Sequence, residues 1–350
     1  MLTQVRIVGA GLIGTSIALG LSAHGVKVQL FDIDPAAQAL ANDLAGAGEV
    51  HAPELVILAL PTSGIAMVIE SEIALNPHST FMDVGSVKTE PIEQIKKSSL
   101  PLNRFVPTHP MAGREIGGAR SARADLFATR TWVVTPTADC APESLALVEE
   151  LIQILGASVI TLDADEHDRA VATISHLPQI AASLVAHSLS STPPAWLELC
   201  GQGLRDTTRI AASDSKLWSE IIFSNRDEVS TVLKRLHRDL GTLIESIDDQ
   251  NAIEGFIARG AQGQALIPGK HGGKSREYTY LPIVIDDKPG QLAAIFNECA
   301  AINVNVEDFS IEHSPGQLNA LITLALSASD AMVLSDHLAG IGWNVHAILK

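Results

Sequence analysis

Cysteine is scarce. Cys140, Cys200 and Cys299 stand far apart and odd in number in a chain of 350 residues. A disulfide framework is therefore not expected, and a reducing compartment fits better. No CxxC pair and no HExxH spacing occurs, so no metal site is expected. Positive charge is short as well. Lys and Arg number 24 against 40 Asp and Glu, which leaves a net charge of −16 at pH 7. That balance excludes a broad nucleic-acid surface or a polybasic membrane patch. It leaves an acidic substrate open, because a site can be locally positive inside an acidic protein. No window of about 20 apolar residues is present, so no membrane-spanning helix is expected. The start, MLTQVRIVGAGLIG, lacks the charged region, apolar run and cleavage site of a signal peptide. Internal repeats and low-complexity segments are lacking too. The expectation is a soluble cytoplasmic protein.

What is there is a foldable chain with 46% hydrophobic and 18% charged residues. At roughly 150 residues per domain it divides into two or three domains. Residues 1–164 alternate short apolar runs with helical patterns. Strand candidates are Gln4–Val8, Val26–Phe31, Leu55–Ala59, Thr80–Asp83, Arg104–Pro107 and Thr131–Val134. Helices between the early ones predict an α/β fold, a Rossmann-type doubly wound parallel sheet. Over residues 165–261 the strand signal disappears. In Asp227–Ser246, apolar residues from Val229 to Leu243 recur at spacings of three and four, as in an amphipathic helix. An all-α domain is expected there, with a glycine-rich linker at 262–276. Residues 277–350 read as strand, helix, two strands around Ser314-Pro315-Gly316, helix and strand. That βαββαβ order predicts a ferredoxin-like module. Its net charge is about −7, nearly half of the acidic excess.

Gly9-Ala10-Gly11-Leu12-Ile13-Gly14 follows a strand and opens a helix. Gly9 permits the tight turn, Gly11 lets backbone approach a pyrophosphate, and Gly14 lets helix and strand pack closely. The helix N-terminus offers free N–H groups to phosphate. Asp32 ends the second strand, 23 positions after Gly9. A carboxylate there accepts from ribose hydroxyls and repels a 2′-phosphate, so NAD is expected over NADP. Pro61, after the third strand, completes the expected cofactor-binding set. Asp34 reads as a helix cap before Pro35.

Three later segments carry chemistry. Asp83-Val84-Gly85-Ser86-Val87-Lys88 follows a strand, and ligands of open parallel sheets bind at those ends. Ser86 reads either as a helix cap or as a group facing a nicotinamide or a base. Thr108-His109-Pro110-Met111-Ala112-Gly113-Arg114-Glu115 puts a histidine on a similar edge, suited to acid–base work. Gly201-Gln202-Gly203-Leu204-Arg205-Asp206-Thr207-Thr208-Arg209 brings two arginines into the helical region. It reads as an anion site, since Arg grips carboxylates bidentately, or as an Asp206–Arg209 surface pair.

Together, GAGLIG, DVGSVK, THPMAGRE, the Glu166–Pro178 stretch, GLRDTTR and Leu217-Trp218 resemble the prephenate/arogenate dehydrogenase family over nearly the whole chain. Asp287–Phe296, DKPGQLAAIF, resembles an ACT module. The resemblance implies NAD-dependent oxidative decarboxylation of prephenate, or of arogenate, in tyrosine biosynthesis. It implies that His109 accepts from the 4-hydroxyl and that Ser86 orients His109. It implies that Arg209 binds the ring carboxylate and that Arg205 reaches the side-chain carboxylate. Glu115 and Asp206 are implied as gating or supporting groups, and Trp218 as packing beside the pocket. His167 and His176 read as hydrogen-bonded helix histidines. Gln179 stands where the family often has a second histidine, and Gln202 where it often has glycine. The resemblance further implies a homodimer and an amino-acid effector, such as tyrosine, near Gly290 and Asn305 of the ACT-like module. Two other readings compete. A β-hydroxyacid dehydrogenase needs a catalytic lysine in the helical region, where only Lys216 and Lys234 stand, neither in a glycine-rich motif. A non-catalytic NAD sensor sits badly with an intact Ser86, His109 and Arg209 set.

Overall fold

Apolar residues on the N-terminal strands point alternately to two faces of a sheet, and helices cover both. The computed structural model describes residues 2–97, 101–113, 117–267, 278–313 and 318–349. It divides into two compact units, Met1–Gly241 and Thr242–Lys350. The first opens with β1 (Gln4–Val8), α1 (Leu12–Ala23), β2 (Lys27–Phe31), α2 (Pro35–Ala45), β3 (Leu55–Leu58), α3 (Ile65–Leu75), β4 (Thr80–Asp83) and α4 (Thr89–Lys97). It continues with β5 (Phe105–Pro110), β6 (Thr131–Val134), α5 (Pro142–Ile154) and β7 (Ser158–Thr161). The strands form one sheet in the order β2-β1-β3-β4-β5-β6-β7. Val5, Ile7, Leu55 and Ile57 pack with Ile17, Leu21, Ala41 and Leu151 on one face. Val8, Val56 and Leu58 pack with Ile65, Ile69, Ile92 and Ile95 on the other. This is a Rossmann-like α/β layer structure. Asp34 caps α2 as expected, its carboxylate accepting from the Ala36 N–H at 2.9 Å.

Two strand expectations are corrected. The sheet is parallel from β1 to β5, but β6 runs antiparallel to β5, pairing Thr108 with Val134. Among the described residues, the connection between β5 and β6 holds only a single 3-10 turn, Ala119–Ser121, and irregular turns. Without a crossover helix to carry the chain back across the sheet, the next strand enters reversed. β7 was not among the strand candidates. It is an edge strand whose residues are mostly exposed, so its apolar signal is weak.

After β7 the unit is helical: α6 (Ala164–Val171), α7 (Leu177–Ser188), α8 (Pro194–Leu197), α9 (Gln202–Thr208), α10 (Ser215–Ser224) and α11 (Arg226–Glu245). Between α6 and α7 the chain takes a π-helical turn, Ala172–His176, a form that clusters at functional positions. On α11, Val229 and Val232 bury against Ala172, while Leu236 and Leu240 stay exposed.

The second unit contains α12 (Gln250–Ala265), β8 (Thr279–Asp286), α13 (Gln291–Ala301), β9 (Asp308–His313), β10 (Asn319–Leu326), α14 (Ala328–Gly340) and β11 (Asn344–Val345). Its strands form a small antiparallel sheet in the order β11-β8-β10-β9, with its own core around Leu281, Ile283, Ile322, Leu324 and Leu334. Residues 262–265, expected to be linker, are the last part of α12. Ala261, Gln262, Gln264 and Ala265 favour helix enough to carry Gly263 with them. The rest of the expected linker from Pro268 on, and the Ser314-Pro315-Gly316 turn, lie outside the described residues.

The β1–α1 turn shows why its glycines differ. Gly9 has φ +110, and a Cβ on it would stand 2.1 Å from the Ala59 carbonyl oxygen. A Cβ on Gly11 meets nothing within 4 Å. Gly9→Ala should therefore cost more than about 2 kcal/mol of stability through strain and overlap. Gly11→Ala should change it by less than about 0.5 kcal/mol. Urea midpoints of the two variants check this; equal losses would contradict it.

Candidate active site

Strand order reverses at β1, so the connections that follow β1 and β3 leave in opposite directions, and ligands of such sheets bind at the carboxyl ends beside that point. The glycine turn lies there. The Gly9 N–H donates to the Phe31 carbonyl and the Ala59 N–H to the Val8 carbonyl, both at 2.8 Å. Asp32, at the end of β2, accepts from the Ala10 N–H at 2.7 Å and from the Asp34 N–H at 2.8 Å. Each carboxylate oxygen keeps a second lone pair, so the group remains able to accept from hydroxyls. Gly11 precedes α1 in extended conformation, and no side chain caps the helix. With open space at Gly11 and half-buried Leu12 and Ile13 beside it, this turn fits a dinucleotide pyrophosphate. Pro61 is exposed at the end of the β3 segment.

Beside it, the ends of β4 and β5 are locked together by a buried ion pair. The Lys88 Nζ donates to Asp83 Oδ2 and to the Thr108 carbonyl at 2.6 Å. Asp83 also accepts from the Thr108 N–H at 3.2 Å, and the Thr108 hydroxyl donates to the Asp83 carbonyl at 2.7 Å. The Trp132 indole N–H closes the group on Thr108 Oγ1 at 2.9 Å. Burial pushes the Asp83 carboxyl up and the Lys88 ammonium down, each opposed by the charge of the other. Every polar atom of Thr108 is engaged, so the next residue of β5, His109, is held at a fixed point.

His109 Nδ1 lies 2.9 Å from His167 Nε2, the two rings meeting edge to face. His167 Nδ1 lies 2.7 Å from Asp168 Oδ1. Asp168 in turn accepts from the N–H groups of Lys88 at 2.9 Å and Thr89 at 2.8 Å, at the start of α4. Burial favours the protonated carboxyl of Asp168, but the hydrogen bonds from His167, Thr89 and Lys88 outweigh it and hold the group below the usual carboxylate range. Burial, and then the neighbouring His167, Lys88 and His176, hold His109 well below the ordinary histidine value against the pull of Asp168. His109 is thus a neutral imidazole at physiological pH, able to accept a proton.

The arrangement places the sequence candidates unequally. Ser86 is half-buried on the β4–α4 loop and has no hydrogen-bond partner among the described residues; the group that holds His109 is His167. His167 was expected to be a bonded helix histidine, and it is, but its partner is the candidate base. Sequence reasoning missed Asp168 and Lys88. Asp168 directly follows His167 and Lys88 stands two residues after Ser86, and that proximity was the available signal. His176 is buried beside Asn225, whose amide nitrogen lies 3.3 Å from His176 Nδ1, and Trp218 meets its ring edge on. A cavity of about 340 Å³ adjoins them, with Gln179, Ser183, His187, Ser213 and Trp218 in its walls. Arg205 and Arg209 are exposed on α9 and the turn after it. Asp206 accepts from the Gln202 amide at 2.7 Å. Glu115 and Arg114 lie outside the described residues.

Comparisons with known proteins agree on one family. Residues 17–161 match the model of the prephenate dehydrogenase nucleotide-binding domain, and residues 163–259 that of the prephenate dehydrogenase dimerization domain. The chain is 31% identical to the probable prephenate dehydrogenase NovF of Streptomyces niveus, over 96% of this chain and 98% of that protein. Prephenate dehydrogenase of A. aeolicus, solved with hydroxyphenyl propionate and NAD+, is 25% identical with a TM-score of 0.69, covering 76% of this chain and 99% of that one. Synechocystis arogenate dehydrogenase is 27% identical with a TM-score of 0.63, covering 75% and 98%. Fold and site together define an NAD-dependent dehydrogenase. The chain belongs to the prephenate dehydrogenase family.

The buried histidines make the fold sensitive to acid. Burial lowers His176 from 6.5 to about 4. Between those values the unfolded chain binds a proton that the folded one does not, so stability falls as pH drops through that window. Below about 4 both states are protonated and this dependence ends. His176→Gln should flatten the fall between pH 6.5 and 4, read as the difference in urea midpoints from the unmodified protein. Parallel curves would show that His176 is not the group responsible.

Proposed function

We propose that this protein catalyses the oxidative decarboxylation of prephenate to 4-hydroxyphenylpyruvate. The observation that carries the reading is a half-buried histidine, His109, hydrogen-bonded to a His167–Asp168 pair near the end of a strand beside a dinucleotide turn. NAD, when bound, accepts the hydride that leaves C4 of the ring. Gly9, Gly11, Leu12, Ile13, Gly14, Asp32 and Pro61 are the residues assigned to hold it. His109 accepts the proton of the 4-hydroxyl, and the oxygen's electron pair drives hydride departure. The C1–carboxylate bond then breaks, CO₂ leaves, and its electron pair completes the aromatic ring. The proton returns from His109 to the phenolic oxygen. Ser86 is assigned to the nicotinamide, Arg209 to the ring carboxylate and Arg205 to the side-chain carboxylate, with Asp206 and Glu115 as gating or supporting groups and Trp218 as packing beside the pocket. Arogenate is the second reading, favoured by the likeness to the Synechocystis enzyme.

The same reading covers assembly and regulation. Leu236, Leu240 and Ile244 are exposed along α11, in the segment that matches a dimerization domain; this supports a homodimer formed through it. The sheet order and element order of the C-terminal unit support a ferredoxin-like, ACT-like module. Gly290 enters α13 with φ +91 and Asn305 donates to Glu307 at 3.0 Å; an amino-acid effector is assigned to that neighbourhood. A cytoplasmic location is part of the same proposal.

His109→Asn should lower kcat by about 10²–10⁴-fold for NADH formation from prephenate, with KM within a few-fold. Turnover near the normal rate would remove His109 as the base. Arg209→Ala should raise KM at least about tenfold, the equivalent of roughly 1.4 kcal/mol of carboxylate binding. An unchanged KM would take Arg209 out of the site. Running both variants on prephenate and arogenate ranks the two substrates.

A further inference from the structure

We infer that His167 and Asp168 are positioning residues that fix which nitrogen of His109 carries the proton, leaving Nε2 as the basic atom. The hydrogen bonds run outward from a fixed end at Asp168. Both carboxylate oxygens of Asp168 accept N–H groups of the α4 start, from Lys88 and Thr89, and an ionised carboxylate can only accept. The bond at 2.7 Å between Asp168 Oδ1 and His167 Nδ1 therefore needs the proton on His167 Nδ1. In a neutral imidazole the other nitrogen is then a bare acceptor. His167 Nε2 faces His109 Nδ1 at 2.9 Å, so His109 Nδ1 must donate. The lone pair of His109 is left on Nε2, which has no hydrogen-bond partner among the described residues. Each bond in this chain has one direction, and Asp168 sets them all.

Two alternatives are excluded by the same geometry. Were His109 protonated on Nε2, two bare nitrogens would face each other at 2.9 Å inside the protein, with His167 Nδ1 still committed to Asp168. Reversing His167 as well would leave a bare imidazole nitrogen against a carboxylate oxygen at 2.7 Å. Both arrangements bury unpaired acceptors, at a cost of about 1–3 kcal/mol each. A wrong tautomer also cannot act as base from Nε2, so the pair protects activity as well as packing.

The test combines a direct readout of the tautomer with two substitutions. Nitrogen-15 NMR of histidine-labelled protein, with the His109 signals assigned by their loss in His109→Asn, should show a protonated Nδ1 and an unprotonated Nε2 at pH 7.5. This measurement needs no substrate, so it stands whether or not the proposed reaction is right. His167→Gln keeps an acceptor towards His109 and a donor towards Asp168. It should retain the His109 signals and keep kcat within about tenfold. His167→Met fills the space but offers only a weak thioether acceptor and no donor. It should shift the proton of His109 to Nε2 and lower kcat at least about 100-fold, with KM within a few-fold. A protonated Nε2 in the unmodified protein overturns the inference. So does a His167→Gln variant that folds, by its melting curve, and loses as much kcat as His167→Met. If the NMR pattern holds while no variant or parent reduces NAD with either substrate, the proposed reaction fails and the tautomer assignment stands.

Discussion

One buried ion pair organises the site. Lys88 and Asp83 have no exposed side-chain surface, and removing two charges from water costs several kcal/mol per ion before any return. The pair tolerates this because its remaining lone pairs and protons are spent on Thr108, whose N–H, carbonyl and hydroxyl all close onto the same group. Replacement by apolar residues of similar volume could equal it in stability. It could not reproduce the hydrogen bonds that tie the end of β5 to the end of β4. His109 follows Thr108 directly, and the N–H of Lys88 itself anchors Asp168. The same lysine therefore reaches both ends of the histidine chain, through its side chain at one and its backbone at the other.

Electrostatics then sorts the groups into roles. Two of three histidines in this region, His109 and His176, are held in the uncharged form by burial, while Asp168 is kept ionised by three hydrogen-bond donors that overcome its burial. A charged Lys88 close by opposes an imidazolium at His109, and Asp168 favours one. The result is a base that is empty at rest yet has a carboxylate two bonds away. The net charge of the chain said nothing of this, because the balance is struck among four or five side chains.

The sequence made some of this legible and hid the rest for definable reasons. Strands β1, β4 and β6 were readable to the residue because their apolar runs end abruptly in glycine, aspartate or threonine. The turn at Gly9 was readable because only glycine tolerates both its φ and the Ala59 carbonyl. The reversal of β6 was not, since strand direction depends on whether the connection crosses the sheet. β7 escaped because an exposed edge strand needs little apolar residue. The motifs located His109 and Ser86, but the link from His109 to His167 spans residues far apart in sequence and forms only once α6 packs beside the β5 end. Partner choice between Ser86 and His167 was beyond any pattern of spacing, since both sit in motifs and only distance separates them.

The proposed reaction suits a site of this kind. The proton that leaves the hydroxyl comes back to the same oxygen once the ring is aromatic, so turnover consumes no net proton. A base that only borrows needs no exchange with solvent between the two transfers, so isolation from solvent does not slow proton return. Burial also lowers the proton affinity of His109, which weakens it as a base for an ordinary alcohol. Aromatisation supplies the driving force instead. What remains for the protein to provide is a lone pair in one place and one orientation, and a chain of bonds with a single direction, anchored on a helix start, supplies that.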